Sequence, residues 1–159
     1  MARNPIDDVA DGIARRWKTS VALVAAVPGN LEHALGTEAQ PNTHPYKTRA
    51  LPYAIYRVEK LQEPELSTAN RAIHHHGVTI DIYGLKAGVT AVLELLWNDP
   101  ATALPVFVRQ ELLMDGANGR RAMAVLELGD DLVKGTTKEA EDLWKGSHHL
   151  HVMTDRSLA

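Results

Sequence analysis

The 159-residue chain has no cysteine, one phenylalanine and a formal net charge of only −3. Without cysteine there are no disulfides, no thiol nucleophile and no thiolate metal site, and redox chemistry has no obvious carrier. Seventeen basic residues against twenty acidic ones exclude a surface devoted to gripping nucleic-acid phosphates. No charge-free apolar run approaches the roughly eighteen residues of a membrane span, and MARNPIDDVADG lacks the apolar core of a signal peptide. The expectation is a modestly acidic soluble protein that neither spans a membrane nor carries a secretion signal. Its length suits one domain, residues 1–159, able to bury a core without staples.

What is present is clearest at HGVTIDIYG, His76 to Gly84. Val78, Ile80 and Ile82 alternate with Thr79, Asp81 and Tyr83, which predicts a strand covered on one side. Gly84 breaks it, and Val89, Val92, Leu93, Leu96 and Trp97 then follow the three-and-four spacing of an apolar helix face, over about Lys86 to Trp97. Near the N-terminus, Asn4-Pro5 with Asp7 and Asp8 predicts a helix start, and Ile6, Val9, Ile13 and Trp17 give a stripe running to about Thr19. VALVAAV, from Val21, suits either a short helix capped by Thr19-Ser20 or a buried strand, the helix being preferred.

Further strands are predicted at Leu51 to Lys60, at Pro105 to Met114 with a hairpin return over Arg121 to Leu128, and at Asp142 to Thr154. The first of these should pair antiparallel with the central strand, because the connection between them has no room for a crossover helix. Gly36 to Ala50 should be a long exposed loop, Gly129 to Glu141 a polar acidic connection, and DRSLA a short free tail. The fold class expected is α+β, a mainly antiparallel sheet of about four to five strands with an N-terminal and a central helix packed on it.

Chemistry is harder to find. Eight histidines invite a metal reading, with His74, His75 and His76 consecutive and His148, His149 and His151 close together. On a strand His149 and His151 share a face and are the candidate pair, while His148 points away; no helical H-E-x-x-H is present. No G-x-S-x-G elbow, P-loop or G-x-G-x-x-G occurs. Asp130-Asp131 and Glu141-Asp142 are adjacent carboxylates, which diverge in an extended chain, and Trp17, Trp97 and Trp144 each sit in an apolar period that fits core or interface. Neither a catalytic residue nor a cofactor site is assigned.

Three segments together, LPYAIYRVE (Leu51 to Glu59), VTIDIYG (Val78 to Gly84) and DLWKGSHHLHVMT (Asp142 to Thr154), resemble the tail-terminator and tail-completion proteins of long-tailed bacteriophages and prophage-derived particles. The resemblance covers about the last two thirds of the chain and lies in strand patterns, without a catalytic signature. It implies a non-enzymatic virion protein forming a ring, a homohexamer, where the tail tube meets the head connector. The implied partners are further copies of the chain, the tail tube protein and a connector or stopper protein, with DNA passing through unbound and no membrane involved. The virion neck would be its location, after assembly in the host cytoplasm. Thr43, His44, Tyr46, Lys47 and Arg49 would form an assembly loop, and Asp130, Asp131, Glu139 and Glu141 are candidates to face the lumen. The alternatives are another neck component, such as a stopper or tube-like subunit, and a small host metal enzyme using the histidines.

Overall fold

A computed structural model of the chain describes residues 5–33, 50–61, 71–109, 111–112, 120–134 and 143–157. The elements are α1 (Pro5–Thr19), α2 (Val21–Ala26), β1 (Leu31–His33), β2 (Tyr53–Lys60), β3 (Arg71–Gly84), α3 (Lys86–Trp97), β4 (Arg120–Lys134) and β5 (Trp144–Ser157). The strands form one five-stranded sheet in the order β1-β2-β3-β5-β4. β1 runs parallel to β2, and every other neighbouring pair is antiparallel. The α+β class and the antiparallel pairing of β2 with β3 follow the sequence pattern.

One face of the sheet takes the helices. Val78, Ile80 and Ile82 of β3 join Ala54 and Tyr56 of β2 and Leu150 and Val152 of β5 in a continuous buried core. Against them pack Val9, Ile13 and Trp17 of α1, Leu23 of α2, and Val89, Val92, Leu93 and Leu96 of α3. Acids in the first turn of α1 and bases in its last complement the helix dipole. Ser20 caps α2 by accepting from the Leu23 N–H at 3.5 Å, which resolves VALVAAV as helix. α3 approaches β5 closely enough to require a glycine. A Cβ on Gly146 would lie 2.6 Å from Val89 Cγ1 and 2.9 Å from Leu93 Cδ1, which explains the W-x-G spacing after Trp144.

Four expectations are corrected. The apolar stretch from Pro105 is not a strand in its described part: Val106, Phe107 and Leu112 are buried as a plug beneath the helices. The backbone groups of Val106 are used elsewhere, its N–H donating to Leu96 O at 3.0 Å and its carbonyl accepting from Arg16 Nε at 2.7 Å. With those bonds made, the segment has no ladder to join. β4 consequently has a different partner from the one expected, pairing along β5, and it includes Gly129 to Lys134, read above as connection. The start of DRSLA is no free tail, because Asp155 pairs with Ile73 and is buried. β3 begins at Arg71, five residues before the alternation that announced it. The short parallel β1 was not foreseen; it follows Asn30, whose φ of 66° turns the chain back beside β2.

Arg16 holds the helical layer together. Its Nη2 meets Asp99 Oδ2 at 2.9 Å with both side chains buried, and Nη1 donates to Thr19 Oγ1 at 3.1 Å. Asp99 in turn accepts the Ala101 N–H at 3.0 Å on its other oxygen. This ties the end of α1 to the turn after α3. Removing one member of such a pair strands the other charge in the interior, at a cost of about 3–5 kcal/mol. Asp99→Ala is therefore expected to lower unfolding stability by about that amount in chemical denaturation, whereas a loss below about 1 kcal/mol would class the pair with exposed ion pairs.

Candidate functional site

Because successive strand residues alternate in direction, β3 and β5 divide their polar side chains between the two faces of the sheet. On the face away from the helices, Asp81 stands opposite Ser147 and Thr79 opposite His149. Ser147 Oγ–H donates to Asp81 Oδ1 at 2.6 Å, both residues being buried. Arg57 of β2 lies 3.7 Å from the other Asp81 oxygen but is half exposed. A hydrogen bond to a charged group is worth about 1.5–3 kcal/mol and an exposed ion pair about 0–1 kcal/mol, so the serine holds Asp81 and the arginine adds little. His149 sits between Thr79 Oγ1, at 3.4 Å from Nδ1, and Asp131 Oδ2, at 3.2 Å from Nε2. Further along, His75 Nδ1 and His151 Nε2 approach to 2.8 Å, one ring donating and the other accepting.

These groups border a shallow cup of about 330 Å³, lined by Arg57, Thr79, Asp81, Asp131, Lys145 and His149 among others. Tyr53, Ile55 and Tyr83 form a small second cluster on the same face, with the two tyrosine rings stacked at 5.2 Å. Burial first, and then the neighbouring Asp81, raises the Tyr83 phenol above its ordinary range. On the helix side, burial and then Asp11 push the Tyr56 phenol up to about 12, and its hydroxyl donates to Ala10 O at 3.0 Å. Both tyrosines are packing residues with a bonded or buried polar tip, not acids or bases poised near neutrality.

The second constellation lies where α3 meets β4. Trp97 Nε1–H donates to Asp130 Oδ2 at 2.5 Å, and His148 Nδ1 meets Asp130 Oδ1 at 2.6 Å. The indole and imidazole also meet edge to face, with centroids 5.6 Å apart. Burial pulls the His148 pKa down, against the opposing pull of the Asp130 carboxylate. Glu127 lies on the same strand. Burial, reinforced by Asp130, pushes its carboxyl up to about 7, and its Oε2 is buried with no hydrogen-bond partner among the described residues.

The candidates from sequence therefore separate. His149 and His151 do share a face, but the first is engaged by Thr79 and Asp131 and the second by His75. Among the described residues no three histidines or carboxylates converge as metal ligands. Asp130 and Asp131 fall on opposite faces of β4, one tied to Trp97 and His148 and the other to His149. Thr43, His44, Tyr46, Lys47, Arg49, Glu139 and Glu141 lie outside the described residues. The Ser147–Asp81 and Trp97–Asp130–His148 contacts were not anticipated. The second was hidden by a β-bulge between Glu127 and Gly129, which switches the inward phase of β4 from Val125 and Glu127 to Asp130 and Leu132. Gly129 makes that switch with φ of 128°, a conformation that favours glycine.

Ser147 is bonded to the Asp81 carboxylate and not to an imidazole, and both residues are buried. No protein-family profile matches the chain, and no curated protein is recognisably similar to it in sequence. Its fold is similar to that of a chain from the virion of a native gene transfer agent (GTA) particle, with a TM-score of 0.58 and 13% identity. The match covers 92% of this chain and 97% of that one.

Glu127 and His148, both on the helix side, give opposite pH dependences. Glu127 is protonated more readily when folded, so its contribution to stability is full below the unfolded value of 4.5 and is lost as pH rises through about 7. His148 is protonated less readily when folded, so its contribution is full above 6.5 and is lost as pH falls. Glu127→Gln is expected to raise the thermal midpoint at pH 8 and to give no gain at pH 4. Equal shifts at both values would mean that the carboxyl titrates normally in the folded protein.

Proposed function

We propose that this chain is a structural protein of a phage-like virion. In this reading it forms a ring, six copies being the expected number, that completes the tail tube and joins it to the head connector. The observation that carries the proposal is the fold similarity, over 92% of this chain, to a chain of the GTA virion, together with the three strand motifs of β2, β3 and β5 noted in the sequence. The site geometry supports it in a further way. The Ser147–Asp81 bond ties β5 to β3, and the Asp130 bonds to Trp97 and His148 tie β4 to α3 and β5, cross-links of the kind a permanent joint in a particle requires.

On this reading the chain works without a cofactor and without catalysis, and its partners are its own copies, the tail tube protein and a connector or stopper protein. Of the two described acids considered for the lumen, Asp131 is 71% exposed on the open face, while Asp130 is committed to Trp97 and His148. A ring of such carboxylates would repel DNA phosphates within a screening length of about 8 Å and so hinder adhesion during passage.

The test is positional. In particles from cells carrying the gene, a tagged copy imaged by electron microscopy is expected at the junction of head and tail, and deletion of the gene is expected to leave heads and tails unjoined. Label along the tail or at its tip, or joined particles in the deletion strain, would overturn the neck assignment.

A further inference from the structure

Among the described residues the helices pack mainly on β1, β2, β3 and β5 and reach β4 at Trp97, which bonds Asp130. α1 packs toward β1, β2 and β3, and α3 packs on β3 and β5, while the main contact of β4 is with β5. Beside α3 lies an open groove of about 710 Å³, walled by Ala91, Leu95, Trp97 and Pro100, with Glu94 and Asp130 as the charges among its described lining residues. Trp97 is exposed, yet it is already fixed by its bond to Asp130 and its edge contact with His148. A large aromatic surface held in place before binding loses little side-chain entropy on contact, which is the property of an interface anchor.

The opposite character occurs at the corner between α1 and α2. Val21 is 83% exposed and Val24, on the same side one turn later, is 46% exposed; Ala25 and Pro28 are exposed beside them. Arg15 and Lys18, both exposed, lie in the C-terminal part of α1, which leads into this apolar step. The corner is rigid as well, since Ser20 caps α2 and Arg16 anchors α1. One surface is thus apolar with an acidic rim and the other apolar with a basic rim, complementary in both respects.

We propose that the α1–α2 corner of a second copy seats in the groove beside β4, with Val21 and Val24 against Trp97 and with Arg15 and Lys18 toward Glu94 and Asp130. The inference rests on the self-assembly described under the proposed function and names the two faces that meet. Because the faces differ, the contact joins unlike patches, the kind of contact that can be repeated around a closed ring.

The chain has no cysteine, so paired cysteines report the contact cleanly. Purified full-length Val24→Cys and Ala91→Cys chains of different tag length are mixed at high micromolar concentration and oxidised. Disulfides joining unlike chains are expected in excess over like-chain products. Adding Arg15→Glu and Lys18→Glu to the first chain should reduce the unlike product about tenfold, the effect of two peripheral ion pairs. Glu94→Lys in the second chain should restore it, which also shows that the reversed chains are folded. Absence of the unlike-chain disulfide, or a yield indifferent to charge reversal, overturns this contact. The position of the protein in the particle is read by imaging alone, so either result can fail without the other.

Discussion

The β3–β5 pairing is the constraint on which the rest of the structure depends. It runs without a register shift from Arg71 opposite Ser157 to Gly84 opposite Trp144. A slip of one residue would turn every side chain of one strand to the other face. Ile80 and Ile82 would then leave the helices, and Asp81 would enter the core without its serine. The same register places His148 beneath α3 and His149 on the open face, so the fate of each histidine in the cluster is decided by its parity along the strand. Gly146 adds a distance requirement to this register requirement, since only a residue without Cβ lets α3 settle on the pair.

Three buried polar contacts organise the interior: Arg16 with Asp99, Ser147 with Asp81, and Asp130 with Trp97 and His148. In the last set His148 Nε2 is left without a partner among the described residues. A catalytic constellation needs a free donor or lone pair at a place a substrate can reach, and His148 is fully buried. The histidines, which promised most as chemistry in the sequence, are absorbed by neighbours on the sheet: His75 by His151, His149 by Thr79 and Asp131, and His148 by Asp130.

The elements legible in the sequence were those whose period was undisturbed. Val78, Ile80 and Ile82 mark β3, and Val89 to Leu96 mark α3, because each set serves a single covered face. Pro105 to Leu112 misled because burial and strand pairing leave the same apolar composition; only the capture of the Val106 carbonyl by Arg16, ninety residues earlier in the chain, distinguishes them. β4 misled for a different reason. Its two register shifts, at Ala122/Ala124 and Glu127/Gly129, break the alternation twice within fifteen residues, so neither its length nor the facing of Asp130 could be read by counting. Partners in β structure are fixed by pairing across long stretches of chain, and local pattern carries little of that information.

β4 also shows how the sheet limits its own growth. It is an edge strand with Leu126, Leu128, Leu132 and Val133 exposed, the composition that invites strand addition. The other edge is β1, only three residues long, which offers too little backbone to pair with it over its length. The bulges add local twist to β4, and Asp130 and Asp131 place charge on both of its faces beside the exposed leucines. Flat edge-to-edge stacking is thereby discouraged at both ends of the sheet. What remains open is the helix-side strip over β4, where Trp97 is fixed and apolar surface faces outward. Packing on this strip would bury that apolar surface without adding a strand at either guarded edge.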